Sequence, residues 1–384
     1  MKTKYGFKFK YFLDPEDWKV FELAQDAGWI ERRNCPCDGG VLRTVCSFFG
    51  NEGKQKIRLG VCSNCGYIGY IDQPTKKWIY DFYMNTWEDI NSPKVKKLLF
   101  KIKHQKDVKQ REILEIAQKL NLDKSRPVCE IGCGYGSLLN QFKEKGFSNL
   151  IGVENSKHRA DFAKSFFNLN VYNAPFEDPQ LQETLAKKSP FSIIFSYHVF
   201  EHVYDPGELI GLASRLQKEG DYFVISLPNA EGEFTMSNLL YFPHLHSFQE
   251  QSLKNLLLKH NYEVIQSNLS SKEALHLVAK KVANPASLSL EPKKDYFNET
   301  IQKFVKGLAL DKKYFFKKRV MWWFRSIDIG GQVKFFIKNL IQRKYKNNQP
   351  IQSLYIEDVK YFYESAEESP IEIQYDGNIK LVYK

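Results

Sequence analysis

Three groups of residues have types and spacings that could do chemistry. The first is Glu130-x-Gly132-x-Gly134-x-Gly136, set between an apolar run that ends at Glu130 and the helix-periodic Leu138, Leu139 and Phe142. Strand, glycine turn and helix in that order make the first crossover of a parallel α/β sheet. Glycine lets the backbone approach a ligand with no Cβ in the way, and a helix N-terminus offers unpaired N–H groups to an electron-rich partner, so a nucleotide-like ligand is the first expectation. Such turns also occur for packing alone, and G-x-G-x-G is one residue shorter than the G-x-G-x-x-G of dinucleotide dehydrogenases. The run Leu150-Ile-Gly-Val-Glu154 strengthens the ligand reading. It reads as a second strand ending in an acid about 20 residues on, where a carboxylate can accept from the hydroxyls of an adenosine ribose.

The second group is Cys35, Cys37, Cys62 and Cys65, two close pairs on glycine-rich turns. Thiolates from two loops can converge on tetrahedral zinc at about 2.3 Å, and four of them leave no open position, so the expected role is structural; reduced, partly buried thiols are the plainer reading. The third group is His198, His202, His244 and His246. Histidine is the side chain that titrates near neutrality without a large shift, so these four are the candidates for a general base. Each is also a candidate for a structural role.

The elements that must position these groups follow from the pattern of the whole chain. Its 384 residues carry 56 Lys and Arg against 45 Asp and Glu, a net charge of +11, and seven cysteines. That length predicts one large domain with smaller attachments. An odd cysteine count with two close pairs suits metal binding in a reducing compartment better than a disulfide framework. No run approaches the ~18 apolar residues of a membrane span, and the opening residues lack a signal-peptide core, so a cytoplasmic protein is expected. Asp14 opens a helix carrying Trp18, Phe21 and Leu23 and stopped near Gly28. Residues 1–75 form the cysteine-rich segment and 76–124 a helical cover, whose Tyr80, Tyr83 and Trp87 could stack on a sugar or base. Residues 125–283 alternate strand and helix, with strands at about 126–131, 149–153, 170–172, 191–196, 221–227, 262–267 and 273–281. This predicts an α/β, Rossmann-like doubly wound sheet of seven strands, the last pair an antiparallel edge hairpin. Residues 284–384 read as a basic, mainly helical extension, with Val333, Phe336, Ile337, Leu340 and Ile341 at helical spacing.

The glycine motif and Glu154, followed by 191–210, 221–232 and 242–264, resemble the class I S-adenosylmethionine-dependent methyltransferases. The resemblance is closer to the bacterial branch with an N-terminal cysteine-rich segment associated with sugars and surface glycans. It covers residues 30–283 and implies S-adenosylmethionine as cofactor, with structural zinc in the segment. It also implies that the turn of Gly132, Gly134 and Gly136 faces the methionine part, Glu130 accepts near its amino group and Glu154 holds the ribose. Asn173, where the family usually has an acid, would meet the adenine, Phe176 would cover the ring, and Tyr197 and His198 would complete the pocket. The family has C-x-x-C in both cysteine pairs; here the first is C-x-C, and Cys46 is a substitute ligand to consider. His198 and His246 lead as the base, with His202 and His244 behind them.

The related sugar C-methyltransferases carry a longer second domain with further glycine motifs, and no such motifs stand in this sequence. The expected reaction is therefore O-methylation of a small-molecule, sugar, nucleotide-sugar or glycan acceptor. Net charge and a zinc site keep a nucleic-acid methyltransferase in view, but Ser196-Tyr-His-Val stands where N-P-P-Y would, which argues against a nucleic-acid partner. A noncatalytic cofactor-binding scaffold is the third reading; the intact glycine turn and Glu154 oppose it. Residues 301–350 hold 13 Lys and Arg against two Asp and include Trp322 and Trp323. Such a tract could bind an anionic membrane at its inner face, or pack on the catalytic domain with its lysines in water.

Overall fold

The computed structural model describes residues 7–8, 27–31, 34–50, 55–85, 93–103, 111–231, 244–268, 274–285, 295–300, 302–303, 371–375 and 379–383. The expected helix with Trp18, Phe21 and Leu23, Trp87, the side chain of Cys46, and the basic tract apart from 302–303 lie outside them. Among the described residues no helix is long and apolar enough to cross a membrane.

In chain order the N-terminal strands are β1 (Phe7–Lys8), β2 (Ile30–Glu31), β3 (Leu42–Gly50), β4 (Gln55–Cys62), β5 (Ile68–Tyr70) and β6 (Asp72–Gln73). Helices α1 (Lys76–Asn85), α2 (Pro93–Lys103) and α3 (Arg111–Lys119) follow. Then come β7 (Val128–Ile131), α4 (Ser137–Glu144), β8 (Leu150–Val153), α5 (Lys157–Phe167), β9 (Asn170–Tyr172), α6 (Pro179–Ala186), β10 (Ile193–Tyr197), α7 (Pro206–Arg215) and β11 (Tyr222–Pro228). The chain continues through β12 (His246–Ser247), α8 (Glu250–Leu258), β13 (Tyr262–Ser267) and β14 (Ala274–Lys281), and ends on β15 (Ile371–Tyr375) and β16 (Ile379–Tyr383).

The larger layer is a mixed sheet in the order β13-β14-β11-β10-β7-β8-β9. Strands β9 to β11 run parallel through β7, and β14 inserts antiparallel between β11 and β13. Every residue of β7 and β8 is buried, as continuous apolar strands covered on both faces must be. The crossover helices start where local chemistry tells them to. Asp178 and Asp205 each cap a helix whose first residue is proline, accepting from Leu181 N at 2.9 Å and Gly207 N at 2.8 Å. One face of the sheet packs a core with Phe191, Phe200, Phe223 and Leu256; the other packs Phe142, Ile193 and Phe195.

A second sheet has the order β1-β16-β15-β3-β4-β5-β12. It takes in two pieces from far along the chain. Strand β12 pairs with β5, His246 opposite Gly69, and β15 lies parallel to β3. The C-terminal extension is therefore not helical throughout: the described residues 371–383 form an antiparallel pair that continues the cysteine-rich sheet. The basic run before it dominates the composition of that extension.

Candidate active site

The sheet reverses its winding between β7 and β10, and a cavity of about 420 Å³ opens beyond their carboxyl ends. Its walls include Gly132, Gly134, Glu154, Phe176, Tyr197, His198 and His202. The three glycines of the turn have different tasks. At Gly134, with φ +55°, an added Cβ would meet nothing within 4 Å, so this glycine faces open space. At Gly136, with φ +78°, it would stand 2.7 Å from Leu169 Cδ1 and 2.8 Å from Ala163 Cβ, so this one lets α4 and α5 pack closely. Gly132 makes room for Val199, whose Cγ2 would be 2.3 Å away.

Glu154 spans the turn. Its Oε2 accepts from Gly134 N at 2.8 Å and its Oε1 from Ser156 N at 2.8 Å. Each oxygen keeps a second lone-pair site, enough for a diol. Glu130 is 0% exposed, lies beneath the turn and does not line the cavity, and neither carboxyl oxygen has a hydrogen-bond partner among the described residues. Burial, and then the Glu154 charge, push its carboxyl well above the ordinary carboxylate range. An orphaned carboxyl beneath the turn, an open cradle at Gly134 and an acid with spare acceptor sites fit a cationic ligand that carries a ribose. Asn173 departs from the expected adenine contact: its Nδ2 donates to the carbonyls of Glu154 at 2.9 Å and Asn155 at 2.8 Å, and it is absent from the cavity wall. An amide donor with two carbonyls in reach is satisfied there, so Asn173 braces the loop that holds Glu154.

On the opposite side lies a cluster centred on Glu201, which has a histidine three residues before it and another immediately after. Glu201 Oε1 accepts from His198 Nδ1 at 2.9 Å and lies 3.7 Å from His202 Nε2. His202 Nδ1 is 2.8 Å from the Tyr83 hydroxyl, and its ring meets His244 edge-on with centroids 4.9 Å apart. Burial would raise the Glu201 carboxyl; His202 and His198 outweigh it and hold the group at about 2. Burial, and then the charge of His202, lower His244 to about 3, so that imidazole is neutral. His198 has φ +53°, a left-handed position that residues other than glycine rarely take, fixed by its N–H on Ser226 O at 2.8 Å and by Glu201.

Residues 102–267 match the family described as "Methyltransferase domain". The chain carries a methyltransferase domain over that stretch. It is 27% identical to a ubiquinone biosynthesis O-methyltransferase of Bradyrhizobium sp. over 124 residues, 32% of this chain and 48% of that protein. Identity is 29% over 114 residues with the protein of the same name from Coxiella burnetii, 30% of this chain and 48% of that one. The chain thus spans about half the length of the curated relatives it matches. Among solved structures, magnesium protoporphyrin IX methyltransferase of Synechocystis with bound SAH is similar over 54% of this chain and 100% of that one, at 16% identity and a TM-score of 0.40.

His246, expected at the acceptor side of the methyltransferase domain as a leading base, is placed elsewhere. It is 2% exposed, its Nδ1 is bonded to the Tyr67 hydroxyl, and its Nε2 is 2.8 Å from the Val203 carbonyl. With both ring nitrogens engaged and its strand paired to β5, it ties the cysteine-rich sheet to the loop after β10. A histidine in a two-residue strand has no local signature of that long-range pairing.

In the cysteine-rich segment three of the four predicted cysteines, Cys35, Cys62 and Cys65, come together with Asp38, and Cys37 is not in that set. Cys35 and Cys65 sulfurs are 3.6 Å apart, and Cys35, Asp38, Cys62 and Cys65 each bring a ligand atom within 4.8 Å of the others. Hydrogen bonds from the Cys37, Cys62 and Cys65 thiols hold Cys35 well below the ordinary thiol range, and the bond to Cys35 pushes Cys62 up to about 12. Asp38, 3.3 Å from Cys62 Sγ, was not foreseen; its place between Cys37 and Gly39 at a turn is the signal that could have found it.

Proposed function

We propose that the protein methylates a hydroxyl of a sugar, nucleotide sugar or surface glycan, with S-adenosylmethionine as donor. One observation carries the reading: His198, whose Nδ1 is bonded to Glu201, lines the same cavity as Gly134 and Glu154. When bound, the cofactor supplies an electrophilic methyl group on a sulfonium. Glu154 holds the ribose, Gly134 admits the methionine part, and Phe176 covers the base. Glu201 keeps the His198 proton on Nδ1, which leaves Nε2 to accept the acceptor's proton. Alignment is the larger contribution, up to ~7–11 kcal/mol, and a general base adds about 10²–10⁴-fold. Tyr80 and Tyr83 on α1 line the cavity and offer faces for a sugar ring. The names of the curated relatives, O-methyltransferases of ubiquinone biosynthesis, favour oxygen as the accepting atom. The cysteine cluster would hold a structural zinc ion through its thiolates.

The test is calorimetry with S-adenosylmethionine, followed by mass spectrometry of nucleotide sugars and extracted glycans incubated with enzyme and cofactor. The expected result is cofactor binding and one added methyl on a sugar oxygen, with His198→Ala abolishing transfer while cofactor affinity persists. Methyl found on nitrogen or on nucleic acid would overturn the acceptor class, and absence of cofactor binding would overturn the whole reading.

A further inference from the structure

The geometry points to a divalent-cation site made by Glu201, His202 and His244 at the acceptor end of the cavity. Three ligand atoms, one from each residue, lie within 4.8 Å of one another. With metal–ligand bonds of about 2.0–2.2 Å, two ligands of one ion stand roughly 3–4 Å apart, a small rotamer adjustment from this arrangement. The Glu201 side chain is 2% exposed, and its second oxygen, Oε2, is buried without a hydrogen-bond partner among the described residues. A buried, unpartnered carboxylate oxygen is costly unless something cationic meets it. The first oxygen is already committed to His198 Nδ1, so Glu201 is oriented before any ion arrives, in the manner of a ligand held by its neighbours. The backbone is equally fixed: Leu245 N donates to the Glu201 carbonyl at 2.7 Å and sets His244 against His202.

The donor set decides the kind of ion. Two imidazoles and a carboxylate suit manganese, iron, cobalt or zinc in the divalent state, and three protein ligands leave positions open. The other such cluster among the described residues is built chiefly of thiolates, and softer ions prefer it. His202 lines the cavity, so an ion there has a face towards the acceptor. Its role rests on the methyltransferase reading, though the site itself does not. A cation polarises an acceptor hydroxyl and makes its proton more acidic. That proton passes to His198 Nε2, the oxygen forms its bond to the methyl carbon, and the carbon–sulfur electron pair stays on sulfur.

Titration of the full chain with Mn²⁺, followed by electron paramagnetic resonance of the free ion, tests the site without any turnover, because manganese prefers nitrogen and oxygen donors to thiolates. A single Mn²⁺ should bind, about tenfold or more weaker in Glu201→Gln and in His244→Ala, and unchanged in Cys62→Ser. His244→Ala decides alone if Glu201→Gln does not fold, as judged by circular dichroism. No Mn²⁺ binding by the wild type, or equal binding by the wild type and a folded variant, overturns the site. Calorimetry with S-adenosylmethionine on the same samples separates the two ideas: cofactor binding without Mn²⁺ binding sinks the cation site alone, and the reverse sinks the cofactor reading alone.

Discussion

Substituting alanine at Gly134 and at Gly136 should have opposite consequences, although the two residues stand in one motif. Both have positive φ, so each alanine costs about 1–2 kcal/mol for the left-handed backbone. At Gly134 nothing stands within 4 Å of the new Cβ, and the loss of stability should end there. The methyl instead occupies the space into which the cofactor would fit, and S-adenosylmethionine should bind about tenfold or more weaker, which corresponds to ~1.4 kcal/mol or more. At Gly136 the new Cβ falls 2.8 Å from Ala163 Cβ, well inside the ~3.5–4.0 Å of a carbon contact, and Ala163 has no side-chain torsion with which to yield. Overpacking of that kind adds about 1–3 kcal/mol, so Gly136→Ala should lose about 2–5 kcal/mol in total by moving α5 off α4. Urea unfolding measures the stability terms, and calorimetry on the folded fraction measures the cofactor. Equal stability losses in the two variants, with unchanged cofactor affinity in Gly134→Ala, would refute the division of labour within the turn.

Other expected outcomes test how the site is held. His246→Ala leaves the Tyr67 hydroxyl and the Val203 carbonyl without their partner, so it should cost about 1–3 kcal/mol of stability and lower turnover while cofactor affinity persists; full stability in urea would show that the bridge between the sheets carries no weight. Asn173→Ala should raise the cofactor Kd several-fold with little change in the acceptor KM, because the loop carrying Glu154 loses two hydrogen bonds; an unchanged Kd in calorimetry would contradict the bracing role. Purified under reducing, chelator-free conditions, the chain should carry zinc in the thiolate cluster, and Cys62→Ser should reduce it and expose the N-terminal segment to protease, since structural zinc contributes about 10–16 kcal/mol of binding energy to local folding. Metal analysis finding no zinc would exclude this.

The strand–turn–helix around Glu130 was legible because all of it is local: a continuous apolar strand, glycines where φ must be positive, and a helix whose apolar residues recur at its own period. The other six strands of that sheet were placed within two residues, and for β8, β10 and β11 the reason is related, since a strand covered on both faces must be apolar along its length. Glu154 at the end of β8 and the convergence of Cys35, Cys62 and Cys65 were equally visible as types at characteristic spacings. What the sequence could not determine depends on which distant pieces pair. That Gly134 faces space and Gly136 faces Ala163 is a property of how α4 and α5 pack. His202, Tyr83 and His244 come from three separate elements, and Glu201 gains its place at their centre only once β10, α1 and the segment before β12 have docked. His246 looked like its neighbour His244 in sequence; pairing of β12 with β5 sent one into a buried bridge and left the other beside the cavity wall. Side-chain type is written residue by residue, but the partners that decide what a histidine or a carboxylate does are supplied by contacts far apart in the chain, and those exist only in the folded state.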